Sequence, residues 1–229
     1  MSETSDRLFE HDRGLDSPQV CGADEAGRAA WAGPLVAAAV RFDYRRLDAA
    51  AQERLCCLND SKRVTPPRRA ALLPVIFEVA SMVSIVVISA AEIDRSGGVD
   101  VANRRALASA LDAVAVAGCV RLVDWFDLQG LDDPPEPVKH GDGTSAAIAA
   151  ASIVAKETRD QLMRGLDVEY PGYGLAAHKG YGGGTGDHEA AIRKQGQLSP
   201  AHRRSINPKV YGELGLDRAS SDPGQLSCD

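Results

Sequence analysis

The order in which strand-like and helix-like segments follow one another narrows the fold of this chain more than any other feature. Short apolar runs rich in small and β-branched residues occupy 19–24, 35–42 (LVAAAVRF), 81–88 (SMVSIVVI) and 119–124 (CVRLVD), and they read as strands. A weaker run at 136–139 has three prolines nearby, which confines it to an edge or a loop. Helical patterns fall between these runs. Residues 66–80 open with prolines at a position suited to a first helical turn. Residues 99–117 carry Val101, Leu107, Leu111 and Val114 at helical spacing, and 144–170 open with a Thr/Ser cap and an Ala-rich stretch. A last helix is expected over 186–195. Strands first and helix-linked strands after imply an α/β domain: a mixed sheet with helices packed on it and a helical C-terminal extension. The domain is expected over 19–211, with loose tails at 1–18 and 212–229.

Composition excludes several classes. The 229 residues, 44% hydrophobic and 25% charged, suit a single globular domain that buries a real core. No apolar run reaches the roughly 18 residues that span a bilayer, and the polar, acidic N-terminus lacks the pattern of a signal peptide, so a cytoplasmic location and no membrane partner are expected. Five cysteines without CxxC spacing point away from a zinc site or a disulfide framework. The net charge of −6 is unevenly spread. Residues 1–20 and 210–229 each carry −3, whereas 156–209 carry +3, which permits a phosphate-binding face.

The chemistry lies at strand ends. Asp24 and Glu25 close the first run, Asp124 closes the fourth after apolar residues, and Asp142 lies in a His-Gly-Asp-Gly turn before the Ala-rich helix. Adjacent strand residues point to opposite faces, so Asp24 and Glu25 reach one site only if the strand ends or kinks there. In an open α/β sheet such positions share one edge. Carboxylates gathered there repel unless cations neutralise them, and hard oxygen ligands select Mg²⁺ or Mn²⁺ over zinc. Each acid also has a plainer role. Asp24 is compatible with a turn cap, Glu25 with a surface charge, and Asp142 with a helix-start aspartate. Residue types and spacing alone therefore reach a possible carboxylate metal site and no further.

The chain resembles the ribonuclease HII family, the bacterial type 2 ribonucleases H, from about residue 20 to 208. The matching pieces run in family order: GADEAGR…AGPLVAAAV at 22–40, LNDSK at 58–62, EID at 92–94, VD at 123–124, GD at 141–142, IAAASIVAK…RD at 148–160, YPGYG…HKGYG at 170–182 and HRRS at 202–205. The resemblance implies an RNase H-like fold with a central five-stranded sheet. It implies a monomer that hydrolyses the RNA strand of RNA–DNA hybrids and cuts 5′ of single ribonucleotides in duplex DNA. It implies two divalent ions, Mn²⁺ or Mg²⁺, held by Asp24, Glu25, Asp124 and Asp142. Further matches carry over as substrate contacts: Gly27, Arg28 and Ala29 for the ribose 2′-hydroxyl, the feature that separates RNA from DNA, Tyr181 for the neighbouring deoxyribose, and Ser61, Lys62, Lys156, Lys179, His202 and Arg203 for phosphates. Asp160 is expected to be structural.

The sequence departs from the family in three places. Gly-Arg-Ala replaces Gly-Arg-Gly at 27–29, Trp125-Phe126 follows the acid at 124 where glycine is commoner, and the glycine-rich loop after Tyr181 is longer. An alanine at 29 is costly if that position needs φ > 0.

Overall fold

Alternation along one central strand sorts the core into two layers. The computed structural model describes residues 3–128, 131–182, 186–206 and 208–216. In chain order its elements are α1 (Glu3–Arg13), β1 (Gln19–Ala26), β2 (Leu35–Asp43), α2 (Ala49–Arg54), α3 (Pro66–Val79), β3 (Met82–Ile88), α4 (Ala90–Arg95), α5 (Val99–Val114), β4 (Val120–Asp124), β5 (Glu136–Val138), a 3₁₀ turn (Gly141–Gly143), α6 (Ala146–Glu169), α7 (Leu175–His178), α8 (Asp187–Gln195) and α9 (Lys209–Glu213). The sheet order is β3-β2-β1-β4-β5, with β2 antiparallel to β1 and β3, and β4 parallel to β1 and β5. This is the expected mixed five-stranded sheet.

Val20 and Ala26 of β1 pack with Val36, Val40 and Phe42 of β2 and with the alanine-rich half of α6. Cys21 and Ala23, on the other face, pack with Ala37 and Ala39 and with Leu107 and Leu111 of α5. Small residues let α6 lie close to β1. A Cβ on Gly22 would stand 2.4 Å from the backbone nitrogen of Ile148, so only glycine fits that crossing. A third cluster, formed by Met163, Tyr173, Leu175, Ile192, Val210 and Tyr211, ties the C-terminal helices to the second half of α6.

Two expectations change. Residues 3–13 are not a loose tail but the helix α1, whose Leu8 and Phe9 are buried in the α6-side core and whose Phe9 ring lies 6.2 Å from Phe42. Its polar sequence hides this because two consecutive apolar residues suffice to anchor three turns. At the other end, 212–216 include the close of α9 and Leu216, which packs on the third cluster, while the rest of the expected tail lies outside the described residues. The charged half of α6 is also drier than its composition suggests. Glu157, Arg159 and Asp160 are all buried: the two acids face Arg69 of α3, and Arg159 reaches the carbonyls of Ala32, Pro34 and Lys179. None of the described helices is long and apolar enough to cross a membrane.

Candidate metal centre and substrate-reading turn

β1 does not end at Asp24. It continues paired with β2 through Ala26, so Asp24 points toward α6 and Glu25 toward α5. β4 runs parallel to β1 with Ala23 opposite Val123, which sets Asp124 at the strand end beside Asp24 and on the same face. The 3₁₀ turn delivers Asp142 to the same place, and its Gly141 N–H donates to Asp124 Oδ1 at 2.7 Å. Asp24, Asp124 and Asp142 each offer a carboxylate oxygen within 4.8 Å of the others. Glu25 lies outside this group. It pairs with Arg28 at 3.4 Å, and the fully buried Asn103 of α5 stands beside its carboxylate.

Electrostatics match the crowding. Burial, then the charges of Glu25 and Asp124, push the Asp24 pKa well above the usual carboxylate range. Burial, then Asp124 and Asp60, raise that of Asp142 to about 6. Burial also raises Glu25, partly offset by Arg28. Lys62 Nζ, 4.0 Å from Asp142 Oδ2, makes the one ion pair of the three aspartates among the described residues. It is held there indirectly: the buried Arg69 guanidinium donates to the carbonyls of Ser61 and Val64 and to Asp160 Oδ2, fastening the loop before α3 to α6. Asp160 therefore has the structural role expected of it.

The Gly27-Arg28-Ala29 turn opens beside the acids. Gly27 has φ +94°, and a Cβ there would meet Arg159 Nε at 2.0 Å, so both conformation and space require glycine. Ala29 is exposed and keeps a negative φ, so alanine is accommodated without strain. At the second departure Trp125 takes φ +59° and stays exposed, the conformation in which glycine costs nothing. The loop of the third departure, 183–185, lies outside the described residues. Arg28 is half-exposed, its guanidinium 5.0 Å above the Phe126 ring. Tyr181 is partly buried, with Arg159 5.0 Å from its ring centroid.

Several expected phosphate contacts turn inward. Arg203 is fully buried and donates to the carbonyls of Gly33 and Arg28, so it braces the turn from behind. Arg159, which sequence reading passed over, does the same through the carbonyls of Ala32, Pro34 and Lys179. His202 is buried against His188 and Ser199, and Ser61 is buried in its loop. Lys156 pairs with Asp160 at 2.7 Å, and the Lys179 ammonium folds back onto the Ala176 carbonyl. Of the six, Lys62 keeps its ammonium exposed beside the acids. Asp60, beside Asp142, was also passed over, although its place in LNDSK was visible in the sequence.

A sequence model described as Ribonuclease HII matches residues 21–208, which span every residue of this site. The ribonuclease HII of Salinispora tropica is 46% identical over 187 residues, 82% of this chain and 66% of that relative, so the chain spans about two thirds of its length. Among solved structures, ribonuclease H2 from Pyrococcus horikoshii OT3 superimposes with a TM-score of 0.68 at 22% identity, covering 86% of this chain and 96% of that one. Bst-RNase HIII in complex with Mn²⁺ superimposes with a TM-score of 0.61 at 22% identity, covering 80% and 64%. At these identities the two structures report the shared fold, which is RNase H-like. The family match runs unbroken from β1 through the three converging aspartates to the segment that braces the Gly-Arg-Ala turn, and the chain belongs to the ribonuclease HII family.

Proposed function

We propose that this chain is an endonuclease that hydrolyses the RNA strand of RNA–DNA hybrids and cuts 5′ of single ribonucleotides in duplex DNA, leaving 3′-hydroxyl and 5′-phosphate ends. One observation carries the reading: three aspartates from three separate elements converge within 4.8 Å near the C-terminal ends of β1 and β4. The donor set suits hard divalent cations, since the three converging groups are carboxylates without imidazole or thiolate. Asp24, Asp124 and Asp142 would hold two divalent ions, and Glu25, next to Asp24 on β1, would add its negative charge to the site. Bound there, Mg²⁺ or Mn²⁺ would supply Lewis acidity and neutralise charge on the scissile phosphate.

The protein's own groups do the positioning. The backbone at Gly27–Ala29 would read the ribose 2′-hydroxyl, held in shape by Arg159 and Arg203. Arg28 and Lys62 are exposed cations beside the acids and would meet phosphates. Tyr181 would pack on the sugar next to the ribonucleotide. The enzyme would act as a monomer, removing ribonucleotides left in DNA after replication.

Cleavage mapping tests the reading. With Mn²⁺ or Mg²⁺, a duplex carrying one ribonucleotide should be cut on its 5′ side, a full hybrid at many positions, and an all-DNA duplex not at all. Cutting of the all-DNA duplex would instead indicate a DNA nuclease on the same fold. Metal uptake should also release protons, because Asp24, Glu25 and Asp142 hold them above the ordinary carboxylate range. Affinity for Mn²⁺ should fall as pH drops through about 6, where Asp142 takes up its proton. Calorimetry in two buffers of different ionisation enthalpy counts those protons; identical heats in both would mean the acids are already ionised.

A further inference from the structure

Three histidines gather behind Tyr181, away from the acids. His178 closes α7, His188 lies in the first turn of α8, and His202 lies in the segment before α9. The His178 and His188 rings stack at 4.1 Å, and His188 Nε2 lies 3.1 Å from His202 Nε2. His188 and His202 are almost completely buried.

Their hydrogen bonds fit one arrangement of protons, in which His202 Nδ1 accepts from Ser199 and the Ser199 carbonyl, 3.3 Å away, is a longer contact. The Ser199 backbone N–H, which can only donate, lies 3.0 Å from His202 Nδ1, so that nitrogen accepts and the ring proton sits on Nε2. That N–H points at His188 Nε2, which must accept, so His188 carries its proton on Nδ1. His188 Nδ1 then donates to the Tyr181 carbonyl, 3.3 Å away. His178 holds the opposite tautomer. Its Nε2 donates to the Tyr173 carbonyl at 2.7 Å, and its Nδ1 accepts the Gly180 N–H at 3.1 Å.

These bonds complete the backbone of the Gly180–Tyr181 dipeptide. The Gly180 carbonyl accepts from Trp31 and Ala32, and the Tyr181 N–H donates to the His178 carbonyl. All four polar backbone groups are engaged, two of them by imidazoles in opposite tautomers. The same contacts fasten Tyr181 to residues 30–32, just after the Gly-Arg-Ala turn, through a bridge between Ala30 and Tyr181.

We infer that His188 is a positioning residue for Tyr181: a relay running from the Ser199 amide through His202 and His188 to the Tyr181 carbonyl sets where the tyrosine ring stands relative to the turn. The ring itself is aimed by this backbone and lies over Arg159. The imidazoles touch neither the acids nor the turn, so the relay acts on binding rather than on the bond-breaking step. Burial lowers the pKa of His188 to about 3 and that of His202 to about 4, which keeps both rings neutral, as the relay requires. The inference rests on the reading that Tyr181 meets substrate.

Nitrogen-detected NMR of the full chain, with His178, His188 and His202 assigned, reads the tautomers directly. The expected result is a proton on Nδ1 in His188 and on Nε2 in the other two; a proton on Nε2 of His188 overturns the relay. Steady-state kinetics on an RNA–DNA hybrid then follow H188F, H188N and Y181A. H188F removes the donor and should raise KM about fivefold, the worth of one ordinary hydrogen bond, with kcat unchanged. H188N retains an amide donor near the Nδ1 position and should restore most of the loss. In a Y181A background H188F should add nothing, because its effect passes through the tyrosine. An undiminished effect in that background, or a fall in kcat without a rise in KM, overturns the positioning role. If Y181A alone leaves KM unchanged, Tyr181 has no substrate role and the positioning falls with it, while the tautomers still report whether the relay exists. Should H188F fail to fold, the wild-type tautomers and H188N decide the case.

Discussion

Replacing Asp24 by asparagine should reduce cleavage at least about a thousandfold and, at the same time, stabilise the metal-free protein. The two effects share one cause. Asp24 is buried between neighbouring carboxylates, and its pKa is raised well above the usual range. A carboxyl whose folded pKa exceeds its unfolded one favours folding below the unfolded value, and that contribution is lost as pH rises through the folded value. Near neutral pH the ionised group therefore opposes folding. Asparagine is nearly the same shape, keeps an oxygen to accept the Glu25 N–H now bonded at 2.7 Å, and cannot ionise. In the presence of a chelator at pH 7.5 the gain should be about 2 kcal/mol, or roughly 5 °C in Tm. It should vanish near pH 4, where the wild-type carboxyl is itself protonated, and reverse when Mn²⁺ is added, since only the wild type gains binding energy. Calorimetric melting at two pH values, with and without Mn²⁺, separates these cases. A variant less stable than wild type in chelator at pH 7.5 would mean the ionised Asp24 has a stabilising partner and would falsify the account.

The second large effect lies outside the acid cluster, in the N-terminal helix. Asp12 of α1 is fully buried, and its Oδ2 accepts the Tyr44 hydroxyl at 2.8 Å and the Ala147 N–H at 3.0 Å. Ala147 is the second residue of α6, whose first amides have no partner within the helix. A carboxylate placed there also meets the positive end of the helix dipole. Asp12→Ala leaves two buried donors unpaired, at a cost of about 4 kcal/mol, or roughly 10 °C in Tm. The start of α6 follows directly on the turn that carries Asp142, so activity should fail at lower temperature as well. Urea unfolding with tryptophan fluorescence gives the free energy. A loss below about 1 kcal/mol would return α1 to the status of a dispensable tail.

The parts of the fold that sequence reading recovered are those governed by neighbours a few residues away. The four strong strand runs and the helix at 146–169 follow from periodicity and caps, and both are where the pattern places them, within a residue or two. Asp124 stood out because an acid after an apolar run is poorly explained by core packing, and the structure brings it together with Asp24 and Asp142. The acids with a plainer sequence role were decided elsewhere. Glu25 follows Asp24 directly, yet the unbroken pairing of β1 turns it to the α5 face, outside the aspartate group.

What local pattern cannot supply is the identity of a partner distant along the chain. Asp12 looked like one more charge in an acidic segment until folding set it against Ala147, 135 residues away. Arg203 looked like a phosphate ligand until folding buried it against the Arg28 carbonyl, 175 residues away. A charge has the same composition whether water, a phosphate or a backbone carbonyl receives it, and only burial decides among them. Periodicity and strand ends thus determine where a carboxylate site can form, because those signals are short-range. Which acids converge and which arginines brace the turn are long-range matters of packing, settled only when the sheet and its helices close on one another.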